Sequence, residues 1–117
     1  MSGLYSAIVA KAIEETGGIT VHDLDYRYIV SLEGFEAGFS PSDIAGITEE
    51  LVKNGEVAAE LGDNYSAGAW LNSEDGTVYT DVSTSFANLD EAMQFGRDNR
   101  QIAIYDSVND REIPVRY

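Results

Sequence analysis

Three stretches of this chain repeat their apolar residues at helical spacing, and the stretches between them are β-branched, aromatic and punctuated by turn residues. Leu4, Tyr5, Ile8, Val9, Ala12 and Ile13 form one such stripe, Ile44, Ile47, Thr48, Leu51 and Val52 a second, and Leu89, Ala92, Met93 and Gly96 a third. A period of about 3.6 residues puts each set on one helix face, which must be buried against another element. The spacing predicts helices over Gly3–Thr16, 41–54 and from Asn88 to about Asn99. Gly17-Gly18 ends the first with a residue that accepts a left-handed cap. Ser40-Pro41-Ser42-Asp43 opens the second with capping residues and an early proline, and Gly55 reads as its stop. Asn88 and Glu91 are spaced as a capping box for the third.

Strands are expected at Ile19–His22, Tyr26–Leu32, Val57–Leu61, Tyr65–Leu71, Thr77–Ser83, Gln101–Tyr105 and Arg111–Arg116, with residues 33–39 as a loop or bulged edge. Asn72–Gly76 is the turn of one hairpin, its Asp75-Gly76 suited to positive φ, and Ser107–Asp110 the turn of another. Pro114 cannot donate a ladder hydrogen bond, which places the last strand at an edge. The expected fold is one α+β domain over residues 1–117: a mainly antiparallel sheet of five to six strands, about three helices, and a C-terminal ββαββ unit. Its expected core is Leu4, Ile8, Ile13, Ile44, Ile47, Leu51, Trp70, Val78, Phe86, Met93, Ile102, Ile104 and Ile113.

Charge decides more about function than about fold. The chain has 21 Asp and Glu against 7 Lys and Arg in 117 residues, a net charge of −14. Residues 1–88 hold 15 acids and 3 bases, whereas residues 89–117 hold 6 and 4. The acids are dispersed rather than run together, and 44% of residues are apolar, so this is a folded protein and not an acidic tail. Such a surface repels nucleic acid and anionic membrane and attracts basic surfaces. Cysteine is absent, which excludes disulfides, thiolate metal sites and a Cys nucleophile. Residues 1–11 lack the pattern of a signal peptide, and no apolar run approaches the roughly 18 residues of a membrane span. A soluble cytoplasmic protein is expected, with no membrane and no direct nucleic-acid partner.

No catalytic or cofactor motif stands out, and neither enzymatic activity nor a cofactor is expected. His22-Asp23-x-Asp25 puts the one imidazole beside carboxylates, a pairing that serves metals and general bases but equally suits an acidic surface turn. Residues 63–74 imitate a calcium loop, with Gly68 and Glu74 in place, but Tyr65 and Ala67 stand where oxygen ligands belong. Asn64-Tyr65-Ser66 matches a glycosylation sequon. A winged helix built from 41–54 and a wing at Val57–Leu61 would carry Asp43, Glu49 and Glu50 toward phosphates, which repel them. Of the seven tyrosines, Tyr26 and Tyr28 flank Arg27 on an expected strand and should share a face.

In size, charge and lack of catalytic motif the chain resembles the small acidic inhibitors of phages and mobile elements, aimed at restriction or CRISPR enzymes. That resemblance implies a non-enzymatic protein that presents a nucleic-acid-like surface to a basic nucleic-acid-handling protein. The acids expected to make the contact are Asp43, Glu49, Glu50, Glu60, Asp63, Glu74 and Asp75. The alternatives are salt adaptation, in which acidity serves solubility, and a general interaction module bound through aromatic surface.

Overall fold

The computed structural model describes residues 3–21 and 24–117. Among them, three helices pack on one seven-stranded, wholly antiparallel sheet, an α+β arrangement. The elements are α1 (Gly3–Thr16), β1 (Gly18–Thr20), β2 (Tyr28–Ser31), β3 (Ala37–Phe39), α2 (Ile44–Leu61), β4 (Tyr65–Leu71), β5 (Val78–Phe86), α3 (Leu89–Asp98), β6 (Ala103–Asp106) and β7 (Arg111–Pro114). The sheet order is β1-β4-β5-β2-β6-β7, with Pro114 on an edge strand as its missing N–H requires. The ββαββ unit is β4, β5, α3, β6 and β7.

Strand β5 organises the sheet because its nine residues outlast any single neighbour. On one side it pairs with the whole of β4, Tyr65 opposite Thr84 and Leu71 opposite Val78. On the other it pairs first with β3, Phe39 opposite Val78, and then with β2, Ser31 opposite Ser83. Residues 37–39, expected within a loop or bulged edge, are a regular strand: β2 and β3 lie end to end along β5, and Gly34 at φ +92 turns the chain between them.

The second helix also departs from expectation. Val57–Leu61 is its last turn and not a strand, which removes the wing of the winged-helix reading. Gly55 does not stop the helix, because Leu51, Asn54 and Ala58 continue the buried stripe past it and Ala58, Ala59 and Glu60 favour helix. The helix ends at Gly62, φ +147, whose N–H donates to Ala58 O at 3.2 Å. Its N-cap is Asp43, which accepts from Gly46 N at 3.1 Å, so Ser40 to Ser42 form the approach and not the first turn. Asn88 caps α3 as expected, accepting from the Asp90 and Glu91 amides.

Alternation along the strands sends one set of side chains to the helices. Val9, Ile13, Ile47 and Leu51 meet Ala67, Ala69 and Val78 in one core cluster, under α1 and α2. Val30, Ala92, Ile104 and Val115 form another under α3. Gly96 lets α3 settle close to the sheet, since a Cβ there would stand 3.0 Å from Val115 Cγ2. Of the expected core, Ile8, Trp70 and Ile102 are exposed. Val9 takes the buried place beside Ile8, Ile102 precedes β6, and Trp70 points to the sheet's other face. The side chain of Leu4 lies outside the described residues.

Candidate functional site

The helices cover one face of the sheet and leave the other bare. On β5 the uncovered set is Tyr79, Asp81, Ser83 and Ser85, and the register sets Trp70 beside Tyr79, Gly68 beside Asp81 and Ser66 beside Ser83. The small residues Ser31, Ser66, Gly68 and Ser83 on this side let the strands curl toward it. The result is a trough bordered by residues of β1, β4, β5, β2, β6 and β7. The curl is deep enough that Trp70 of β4 and Glu112 of β7 border one recess, although β5, β2 and β6 separate their strands in the sheet.

Aromatic rings and one carboxylate distinguish the middle of this trough. Trp70, 41% exposed, and Tyr79 stack with centroids 5.2 Å apart. Tyr79 Oη donates to Asp75 Oδ2 at 2.6 Å, which lowers the Asp75 pKa and raises that of Tyr79. Asp81 Oδ2 accepts from Ser31 Oγ at 2.6 Å. Burial pushes the Asp81 carboxyl up from its ordinary value, and no ion pair among the described residues offsets it. Tyr105 donates to Asp110 at the opposite wall. The guanidinium of Arg100 stands 3.7 Å from Glu33. Tyr26 borders the trough, whereas Tyr28 packs in the core under α3, so the two do not share a face.

One end of the sheet is closed by Asn64. Its Nδ2 donates to Ser85 O at 2.8 Å, its Oδ1 accepts from Ser85 Oγ at 2.6 Å, and its carbonyl accepts from Thr84 Oγ1 at 2.6 Å. The sequon amide is thus engaged in the fold, and the candidate calcium loop is spent on β4. His22 and Asp23 lie outside the described residues, while Asp25 is exposed and donates its N–H to Asn64 Oδ1 at 3.3 Å. Among the described residues no group of three or more His, Cys, Asp or Glu side chains is placed to hold a metal ion, and no helix is long and apolar enough to cross a membrane.

The acids expected at an interface do not converge on one patch. Asp43 caps α2, and Glu74 and Asp75 occupy the β4–β5 turn at the same end of the sheet, where Phe39 pairs with Val78. Asp63 lies past the other end of α2. Glu50 is turned in, its side chain 22% exposed and 3.3 Å from Lys53 Nζ. Glu49 and Glu60 share the solvent face of α2, and the longer helix adds Glu56 to them, a residue that a helix ending at 54 had left out. Spacings of seven and four residues put Glu49, Glu56 and Glu60 in one row, about 10 Å and 6 Å apart along the axis. None of the three joins an ion pair among the described residues; Lys53, four residues after Glu49 and three before Glu56, stands in the longer gap and pairs with Glu50.

The trough leaves a weaker trace in the sequence than the row does. Its signal was the alternation of Ser66, Gly68 and Trp70 against Ala67, Ala69 and Leu71, in which either face passes for the buried one. Comparisons with protein-family models, curated proteins and solved structures found no match to this chain.

Proposed function

We propose that this chain is a non-enzymatic acidic protein that binds and inhibits a basic nucleic-acid-handling protein, of the anti-restriction or anti-CRISPR kind. The observation that supports the reading is the unpaired row of Glu49, Glu56 and Glu60 on α2, with Asp63 beyond it. Along one nucleic-acid strand the charges recur about every 3.4 Å of axis, so gaps of roughly 6 and 10 Å correspond to every second or third phosphate. A rigid helix holds that spacing without loss of side-chain-bearing backbone order on binding, and the net charge of −14 speeds encounter with a cationic groove.

The test is inhibition of DNA binding by a panel of restriction and RNA-guided nucleases. The parent chain is expected to inhibit at low salt, lose inhibition at about 0.5 M salt, where screening acts within roughly 4 Å, and lose it when Glu49→Lys, Glu56→Lys and Glu60→Lys are combined. Inhibition that survives both changes sinks the electrostatic reading.

The dispersal of the remaining acids, Glu14 and Glu15 on α1 and Glu74 in a hairpin turn, favours salt adaptation as a second reading. On that reading the protein unfolds as molar KCl is withdrawn; a nucleic-acid mimic stays folded.

A further inference from the structure

The trough on the uncovered sheet face has a chemistry separate from the α2 row. Its middle combines a two-ring wall, a carboxylate without an ion-pair partner among the described residues, and a glycine beside that carboxylate. Trp70 and Tyr79 supply the wall. Asp81 supplies the carboxylate, with Oδ2 held by Ser31 and Oδ1 turned toward Gly68, where an added Cβ would sit 3.5 Å away. A wall of π faces beside a carboxylate that lacks its counter-charge selects a flat cation carried on an apolar stem. The guanidinium meets both demands better than an ammonium, because it stacks on rings, presents a fork of N–H donors and is less strongly hydrated. Exposed Glu36 and Glu112 at the rim add to the attraction; of the two cations on the lining, Arg100 has its own acid in Glu33 and Arg111 is an exposed residue of β7, next to Glu112 in the chain.

We propose that the trough seats an arginine side chain of the partner protein, its stem along Trp70 and Tyr79 and its guanidinium on Asp81. The inference rests on the basic-partner reading above but names a different surface: the row lies on the helix side and the trough on the opposite face of the sheet. The two can therefore be lost independently.

Trp70 is the only tryptophan of the chain, so its emission reports the trough directly. The probe is a hexa-arginine peptide titrated into the full chain at about 50 mM salt, a regime of modest screening, with hexa-lysine as comparison. Hexa-arginine is expected to shift Trp70 emission saturably and to bind severalfold more tightly than hexa-lysine. Asp81→Asn should weaken that binding by about tenfold or more, the loss of a charge-assisted hydrogen bond. Gly68→Val keeps every charge, suits a strand and sets its side chain against Asp81 Oδ1 and the Ile19 carbonyl, 3.5 and 3.4 Å from the added Cβ; it should weaken binding comparably, with thermal melts showing that both variants fold. Reversal of Glu49, Glu56 and Glu60 should leave the saturating emission shift in place. Equal affinity for the two peptides, binding with unchanged Trp70 emission, or unaltered affinity in Asp81→Asn and Gly68→Val each overturns the inference. Nuclease inhibition that ignores reversal of the α2 row, with an intact trough response, overturns only the function proposed above.

Discussion

Strand β5 carries two proteins in one sequence. Val78, Thr80, Val82 and Thr84 turn toward the helices and are buried, and they belong to the folding core. Tyr79, Asp81 and Ser83 turn the other way and line an open trough, while Ser85, on the same side, is bonded to Asn64 and the Tyr26 amide at its closed end. Packing density makes the first set intolerant of change, because a removed side chain leaves a cavity. The second set has no layer above it, so its members are free to serve recognition. The difference teaches that burial alone does not mark the core here: Ser83 and Ser85 are as buried as many core residues, yet Ser83 lines the trough and Ser85 is covered by Asn64 and the Tyr26 backbone and not by a helix.

Each carboxylate buried on one of these faces tests the comparison, as does each large side chain. The largest effect is expected on the helix side. Leu51, fully buried among α1, β4 and β5, should cost about 2–5 kcal/mol of stability as Leu51→Ala in urea unfolding. A loss below roughly 1 kcal/mol would mean that this face is not close-packed.

Next come the two carboxylates, which should titrate in opposite senses. Asp106, on the helix side, accepts two bonds of 2.8 Å from Arg27, and amides of Val108 and Asn109 add to them. The Arg27 bond above all holds its carboxyl well below the ordinary value of 3.8. Its contribution is present above that ordinary value and lost as pH falls through the lower folded pKa. Asp81, on the trough side, is raised by burial, so the folded state binds its proton more tightly than the unfolded chain does. Its effect is an opposing one: stability falls as pH rises from 3.8 through the higher folded pKa. Thermal melts from pH 2 to about 8 should therefore show Asp106→Asn destabilised at neutral pH with a flatter acid limb, and Asp81→Asn stabilised at neutral pH. If both variants move the same way, the two faces do not differ as described.

The smallest effect is expected at Trp70. Half out in solvent and stacked on Tyr79, it should cost about 1 kcal/mol or less as Trp70→Ser, a stacking contribution rather than a core one. A loss as large as that of Leu51→Ala would put Trp70 in the core, where its size alone suggests it belongs.

Much of this was legible in residue order. The C-terminal capping and turn chemistry was read correctly, from the Asn88 cap to Gly76 at φ +70 and Pro114 on an edge. The end of α2 was not, because Gly55 offers the same local signal whether a helix stops or passes through; the buried continuation at Asn54 and Ala58 outweighs a cost near 1 kcal/mol for an internal glycine. That misreading had a consequence for the candidate site, since Glu56 joins the acidic row only in the longer helix. Asp43 and Asp75, expected at an interface, have local duties as a helix cap and as the acceptor of Tyr79. The Arg27–Asp106 pair spans 79 residues and carries no local signal at all.

Residue order by itself determined the three helices, most of the strands, the dense negative charge and the absence of thiol chemistry, because propensity, capping and net charge are properties of neighbours or of sums. Which face of each strand is buried was decided only in three dimensions. Strand alternation defines two faces and leaves both eligible when one reads Ala-Ala-Leu and the other Ser-Gly-Trp. The helices chose the aliphatic one, since burying Ala67, Ala69 and Leu71 leaves no polar atom unmet, and that choice left Trp70, Tyr79 and Asp81 to line a trough.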